Sequence, residues 1–116
     1  MDDSYLRVAR VEDVPPGTCR DVDVDDQVVL IAQVDGQFYA VSGWCSHQGT
    51  ALALGSLSNH TLTCYAHLWS YDVRSGEPIW PPLARIAPGY LLRTYPVLVE
   101  DGILFVSRTP GRAGLN

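Results

Sequence analysis

Gln27-Val28-Val29-Leu30-Ile31-Ala32-Gln33-Val34-Asp35-Gly36-Gln37-Phe38-Tyr39-Ala40-Val41 is apolar and β-branched, breaks at an Asp-Gly pair, and then turns apolar again. Asp-Gly between two such runs is among the strongest short hairpin signals, because a two-residue loop needs residues that enter the left-handed backbone region. The device recurs near the end of the chain, where residues 95–100 meet residues 103–107 across Asp101-Gly102. Residues 5–11 alternate apolar and polar until Pro15-Pro16-Gly17 breaks the chain. Residues 61–65 and 69–73 read as two further short strands, and residues 51–54 as one helical turn before Gly55. No long helical periodicity accompanies them. The expected fold is all-β, a small antiparallel sandwich or barrel.

The 116 residues suit one domain. Residues 1–42 and 93–108 read as scaffold. The stretch 43–82 is dense in Cys, His, Trp, Gly and Pro and reads as an inserted subdomain that builds a site. Within this single domain, 1–108, the segment 83–92 is a long return to the scaffold whose apolar length suits the core or a docking ridge. Residues 109–116 hold too little apolar surface to pack and are expected to be a mobile tail.

Eight basic and thirteen acidic residues leave a formal net charge of −5. That balance excludes a nucleic-acid binder, whose partner's phosphates demand a Lys/Arg-rich surface, and argues equally against an anionic membrane. No run approaches the roughly 20 apolar residues needed to cross a bilayer. The opening Met1-Asp2-Asp3-Ser4 is acidic and leads into no apolar segment, so no signal peptide is expected and the location expected is the cytoplasm. In that reducing compartment three cysteines are poor candidates for disulfide staples.

Two motifs carry the chemistry: Cys45-Ser46-His47 and Cys64-Tyr65-Ala66-His67. Thiolate and imidazole are ligands that iron and zinc prefer, and each motif sets one of each close together. Three readings follow from the residues. The four are ordinary core cysteines and surface histidines; or they form a structural Cys₂His₂ zinc site; or they hold a binuclear iron centre. Zinc modules usually present two Cys close together and then two His. Pairs that each mix one Cys with one His suit two irons of unequal ligation, Cys45 and Cys64 on one, His47 and His67 on the other.

Cys45-Ser46-His47-Gln48-Gly49 and Cys64-Tyr65-Ala66-His67-Leu68-Trp69 resemble the paired cluster-binding loops of Rieske proteins, and the flanking hairpins resemble their scaffold. More narrowly, His67-Leu68-Trp69 followed by Tyr71-Asp72-Val73-Arg74-Ser75-Gly76 is similar to the Rieske ferredoxins of multicomponent di-iron monooxygenases. The resemblance implies one [2Fe–2S] cluster held by Cys45, His47, Cys64 and His67. It implies an electron carrier with no catalytic residues of its own, monomeric when free. Its two partners would be an NADH-dependent flavin/iron–sulfur reductase that donates and an oxygenase, a di-iron hydroxylase of hydrocarbons, that accepts. Other members of the resemblance imply a ring-hydroxylating dioxygenase ferredoxin or a nitrite reductase small subunit.

The resemblance also bears on the surroundings of the cluster. Respiratory Rieske proteins brace it with a further pair of cysteines and carry a serine two residues after the second His. Here Trp69 stands at that serine's place, and Cys19 is far off. A missing donor argues for a midpoint at the low end of the Rieske range, about −150 to +300 mV. Tyr71 stands where those proteins have a tyrosine that donates to a ligand sulfur, which would raise the midpoint; it reads equally as a half-buried strand tyrosine. Trp69 reads as core packing or as a contact for the hydroxylase, and Trp44 as packing beneath the first loop. Trp80-Pro81-Pro82 resembles the proline loop that covers the cluster, with Pro81 beside it. His60 reads as a solvated loop residue and Cys19 as a strand thiol. Asp21, Asp23, Asp25 and Asp26 read as a solvated acidic turn or a partner-steering patch.

Overall fold

A computed structural model describes residues 4–46, 49–66, 68–81 and 90–111. Its elements are almost all β: β1 Tyr5–Arg10, β2 Cys19–Val24, β3 Gln27–Val34, β4 Gln37–Ser42, β5 Ser56–Ser58, β6 Thr61–Thr63, β7 Ser70–Asp72, β8 Pro78–Trp80, β9 Thr94–Tyr95, β10 Val97–Glu100 and β11 Ile103–Ser107. Short 3₁₀ turns occupy Val11–Asp13 and Leu52–Leu54. Among the described residues no helix is long and apolar enough to cross a membrane.

Three antiparallel sheets result, ordered β1-β11-β10, β2-β3-β4-β9 and β5-β6-β7-β8. β3 and β4 pair from Val29–Ser42 to Val34–Gln37 around Asp35 and Gly36, whose φ angles of 51° and 83° are both left-handed. Asp101 and Gly102 repeat that turn at 52° and 76° between β10 and β11.

β3 explains the layering. Its side chains alternate between faces, yet from Val29 on both faces are buried. Leu30 and Ala32 enter a core with Val41, Leu52, Leu62, Tyr71, Val73 and Leu92. Val29 and Ile31 enter a second core with Val14, Ala40, Leu104 and Val106. A strand covered on both sides must be apolar throughout, which is why residues 28–34 form a continuous run instead of an alternating one. Its one polar interior residue, Gln33, donates its side-chain amide to the Val14 carbonyl. The β2-β3-β4-β9 sheet is thus the middle layer, with the β1-β11-β10 sheet on one side and the β5–β8 sheet on the other. Each large aliphatic side chain buried this way contributes about 1.5–3 kcal/mol.

The acidic run is a strand and not a turn over its first half. Asp21 and Asp23 lie exposed in β2 while Val22 and Val24 between them enter the second core. Asp disfavours strands in general, but β2 is a sheet edge, where outward charge discourages pairing with another molecule. Only Asp25-Asp26 makes the turn, Asp25 at φ 56°. Two further strands, β5 and β8, have no counterpart in the sequence pattern; at three residues each they carry no readable periodicity.

The return to the scaffold is pinned at Gly76. The Leu92 amide donates to its carbonyl (2.9 Å), and a Cβ there would stand 2.2 Å from the Leu92 carbonyl oxygen at φ 77°, so only glycine fits. Leu92 joins the core, whereas Pro82 and residues 83–89 lie outside the described residues. At the other end Thr94 donates its hydroxyl to the Gly111 carbonyl (2.9 Å) and accepts the Gly111 amide at its own carbonyl (2.9 Å). The chain is therefore tied back to β9 as far as residue 111; the remainder of the expected tail, 112–116, lies outside the described residues.

Candidate metal centre

Two loops built alike carry the Cys-His motifs. In the first, the Cys45 amide donates to the Thr50 carbonyl and the Gly49 amide donates back to the Cys45 carbonyl, both at 2.7 Å. In the second, the Cys64 amide donates to the Trp69 carbonyl (2.7 Å) and the Leu68 amide donates to the Cys64 carbonyl (3.0 Å). The registers match: each cysteine binds the carbonyl five residues on and the amide four residues on. Each loop also closes through a left-handed residue at the fourth position, Gly49 at φ 69° and Leu68 at φ 61°. Glycine adopts that region freely, whereas a bulky residue does so only against strain.

Both loops end on buried thiols. Cys45 and Cys64 are 2% and 1% exposed and belong to one core with Leu52, Leu62 and Tyr71. None of the three cysteines is in a disulfide. Cys19 sits apart on β2, half-buried against the same core, and burial followed by the Asp21 charge pushes its thiol up. His47, Gln48 and His67 lie outside the described residues. Among the described residues no three His, Cys, Asp or Glu side chains converge on a common point. The remaining histidine, His60, is at the opposite end of β6 from Cys64, edge-on to the Tyr39 ring at 5.6 Å.

Tyr71 brings the loops' surroundings together. Its fully buried hydroxyl lies 3.3 Å from Cys45 Sγ and 2.8 Å from Ser46 Oγ. Burial, and then the bond to Cys45, pushes the phenol well above its ordinary range, so it stays a proton donor at any physiological pH. Ser46 in turn donates to the Tyr90 carbonyl (2.8 Å). Trp69 is half-buried, its ring edge-on to Tyr90 at 4.9 Å. Pro81 follows β8 half-buried, and the Trp80–Pro81 peptide is cis.

Trp44 departs from expectation. Instead of packing beneath the first loop it is 47% exposed, its backbone bridged to Ala51. Tyr65, Leu68, Leu54, Ile79 and Trp80 are likewise exposed. Leu54, Tyr65 and Leu68 line a shallow cleft of about 310 Å³ that reaches Cys64. No Asp, Glu, Lys or Arg occurs anywhere from Gly43 to Tyr71, although the chain has 21 such residues, 8 basic and 13 acidic. Two features thus escape the motif reading: Ser46 as a partner of Tyr71, and the stretch from Gly43 to Tyr71 that carries no charge and exposes Trp44, Leu54, Tyr65 and Leu68. The second is open to a simple scan for missing charge.

The donor set fits a binuclear iron–sulfur centre. Two buried thiols at the ends of matched turns, one already touched by a phenol hydroxyl, would supply sulfur ligands to such a centre.

Known proteins agree. Residues 4–96 match the Rieske [2Fe-2S] domain model. The chain is 34% identical over 90% of its length, and 94% of the relative's, to a 3-phenylpropionate/cinnamic acid dioxygenase ferredoxin subunit of Photorhabdus laumondii subsp. laumondii. It is 33% identical over 94% of its length, and 85% of the relative's, to the ferredoxin component of the alkene monooxygenase system of Xanthobacter autotrophicus. In structure it superposes with TM-score 0.83 on a chain from the complex of reduced oxygenase and oxidized ferredoxin in carbazole 1,9a-dioxygenase, at 27% identity, covering 95% of this chain and 98% of that one. With the motif spacing, the matched loops and the sheet order all pointing one way, the chain belongs to the Rieske [2Fe-2S] domain family.

Proposed function

We propose that this chain is a cytoplasmic one-electron carrier, monomeric when free, that takes electrons from an NADH-dependent flavin/iron–sulfur reductase and delivers them to the di-iron hydroxylase of a hydrocarbon monooxygenase. In this reading Cys45 and Cys64 hold one iron and His47 and His67 the other. The observation that carries it is the pair of identically closed loops that end on buried thiols, in a stretch that carries no charged residue from Gly43 to Tyr71. A bound cluster of this type exchanges one electron at a time, and mixed thiolate–imidazole ligation makes it easier to reduce than an all-thiolate one. The chain's own residues bury the sulfur side, hold Tyr71 as a donor to Cys45, and leave a face bare of charge for partners. The relation to the alkene monooxygenase ferredoxin and the His67-Leu68-Trp69 segment support the di-iron acceptor. The likeness to dioxygenase ferredoxins supports a second reading, delivery to a ring-hydroxylating dioxygenase.

Purified protein is expected to be red-brown, to hold iron and acid-labile sulfide in equal amounts, and to bleach partly with dithionite. Zinc, or iron without sulfide, would overturn the proposal and leave a zinc-stabilised module. Turnover with NADH, a reductase and each class of oxygenase in turn separates the two acceptors. Delivery to neither would leave the nitrite reductase subunit as the reading.

Tyr71→Phe removes the hydroxyl donor at Cys45. Because a hydrogen bond favours the more negative, reduced state, the midpoint should fall. A net bond of about 0.5–1.5 kcal/mol corresponds to roughly 20–60 mV for one electron. Redox titration of the variant checks it, and an unchanged midpoint would mean the bond does not reach the metal-bound sulfur.

A further inference from the structure

Three hydroxyl and carbonyl groups next to Cys45 form a chain whose protons can be counted. The Tyr90 carbonyl can only accept, so the single Ser46 proton is committed to it at 2.8 Å. Ser46 Oγ therefore meets the Tyr71 hydroxyl as an acceptor, also at 2.8 Å. Cys45 Sγ is the other neighbour of that hydroxyl, at 3.3 Å. A sulfur bound to iron as thiolate carries no proton, so it too can only accept. One Tyr71 proton then faces two acceptors.

Competition of this kind has a definite sign. If Cys45 holds the cluster, the reduced state would make its sulfur the more negative acceptor and strengthen its claim on the proton, since bonds to charged acceptors are the stronger ones. Part of that gain is spent withdrawing the proton from Ser46. The oxidised state, in which the sulfur's claim is weaker, keeps the Ser46 alternative. The lift that Tyr71 gives the midpoint is smaller with Ser46 present than without it.

We infer that Ser46 is a positioning residue that lowers the reduction potential by competing with Cys45 for the Tyr71 proton. The inference rests on the reading of Cys45 as an iron ligand. It assigns the middle residue of the first Cys-x-His motif a tuning role exerted through another side chain. It also links that role to the return segment, because the carbonyl that fixes the Ser46 proton belongs to Tyr90.

The test is a double-mutant cycle read by redox titration of cluster-loaded protein. Ser46→Ala should raise the midpoint, Tyr71→Phe should lower it, and the double variant should match Tyr71→Phe alone. Ser46→Gly, which removes the same oxygen, should move the midpoint in the same direction as Ser46→Ala. A fall or no change in the serine variants would overturn the inference. So would an equal rise when Ser46→Ala is added to Tyr71→Phe, which would mark loosened packing or altered solvent access. Loss of the cluster from both serine variants would overturn it as well, because competition tunes the centre and does not retain it. Wild-type protein without acid-labile sulfide defeats the cluster reading itself. A histidine-ligated EPR signal in wild type with unmoved midpoints defeats only the role of Ser46.

Discussion

His47→Ala and His67→Ala are each expected to abolish the low-average-g EPR signal of the reduced protein, while His60→Ala leaves it intact. In the proposed reading each of the first two removes one of the two imidazoles that share an iron, and nothing in the chain replaces it. Three histidines occur in the chain, and the third is committed elsewhere. The His60 ring packs edge-on against Tyr39, and its carbonyl accepts the Val73 amide at 2.9 Å. Three strand residues, Thr61–Thr63, separate it from Cys64, and four steps at about 3.3 Å per residue make about 13 Å of extended chain. Cys19→Ser should be as silent as His60→Ala, since β2 carries Cys19 on a separate edge strand. A variant of His67 that kept the signal, or a His60 variant that lost it, would require a different ligand set.

The second large effect is expected at Leu68. Bulky residues are rare at positive φ, yet Leu68 holds φ 61° while the residue is 64% exposed. Its side chain gains little from burial, and its backbone carries a cost of about 1–2 kcal/mol. A residue that neither packs nor relaxes the turn points to use at a surface. Leu68 also follows His67 directly and lines the cleft with Leu54 and Tyr65. Leu68→Asn places there a residue that enters the left-handed region readily, so the turn should be kept and stability should hold or rise by about 1 kcal/mol. Electron delivery to the oxygenase should nevertheless slow by about 30-fold or more, the loss of one interface hot spot of about 2 kcal/mol. The midpoint should not move. Stopped-flow reduction of the oxygenase at fixed driving force measures it, and a delivery rate equal to wild type would remove Leu68 from the docking face. The same face lacks charge from Gly43 to Tyr71, so the wild-type rate should change little between low and physiological salt, unlike an electrostatically steered encounter.

Much of this is written in short-range pattern. Both Asp-Gly hairpins stand where the runs around them predict, because turn geometry and strand period are local properties. The two cysteines are legible from their spacing to histidine, and they do share one core. Other features depend on contacts that no window of sequence contains. β2 is hidden because its aspartates are poor strand formers and only its position at an edge admits them. The habit of a tryptophan side chain assigns Trp44 to packing, whereas its neighbours already fill the core and leave it half outside. Ser46 reads as a spacer because its partners, Tyr71 and Tyr90, lie 25 and 44 residues away.

The matched closure of the two loops has a consequence for speed. Each cysteine is gripped on both sides by main-chain bonds that do not involve its sulfur, and the grip has the same form at both ends of the site. A carrier gains and loses charge over and over, and each change invites its surroundings to rearrange. Sulfur atoms held by a stiff frame have little room to follow. The nuclear motion that must accompany every transfer is thereby kept small, and the molecule is ready for the next partner as soon as it leaves the last.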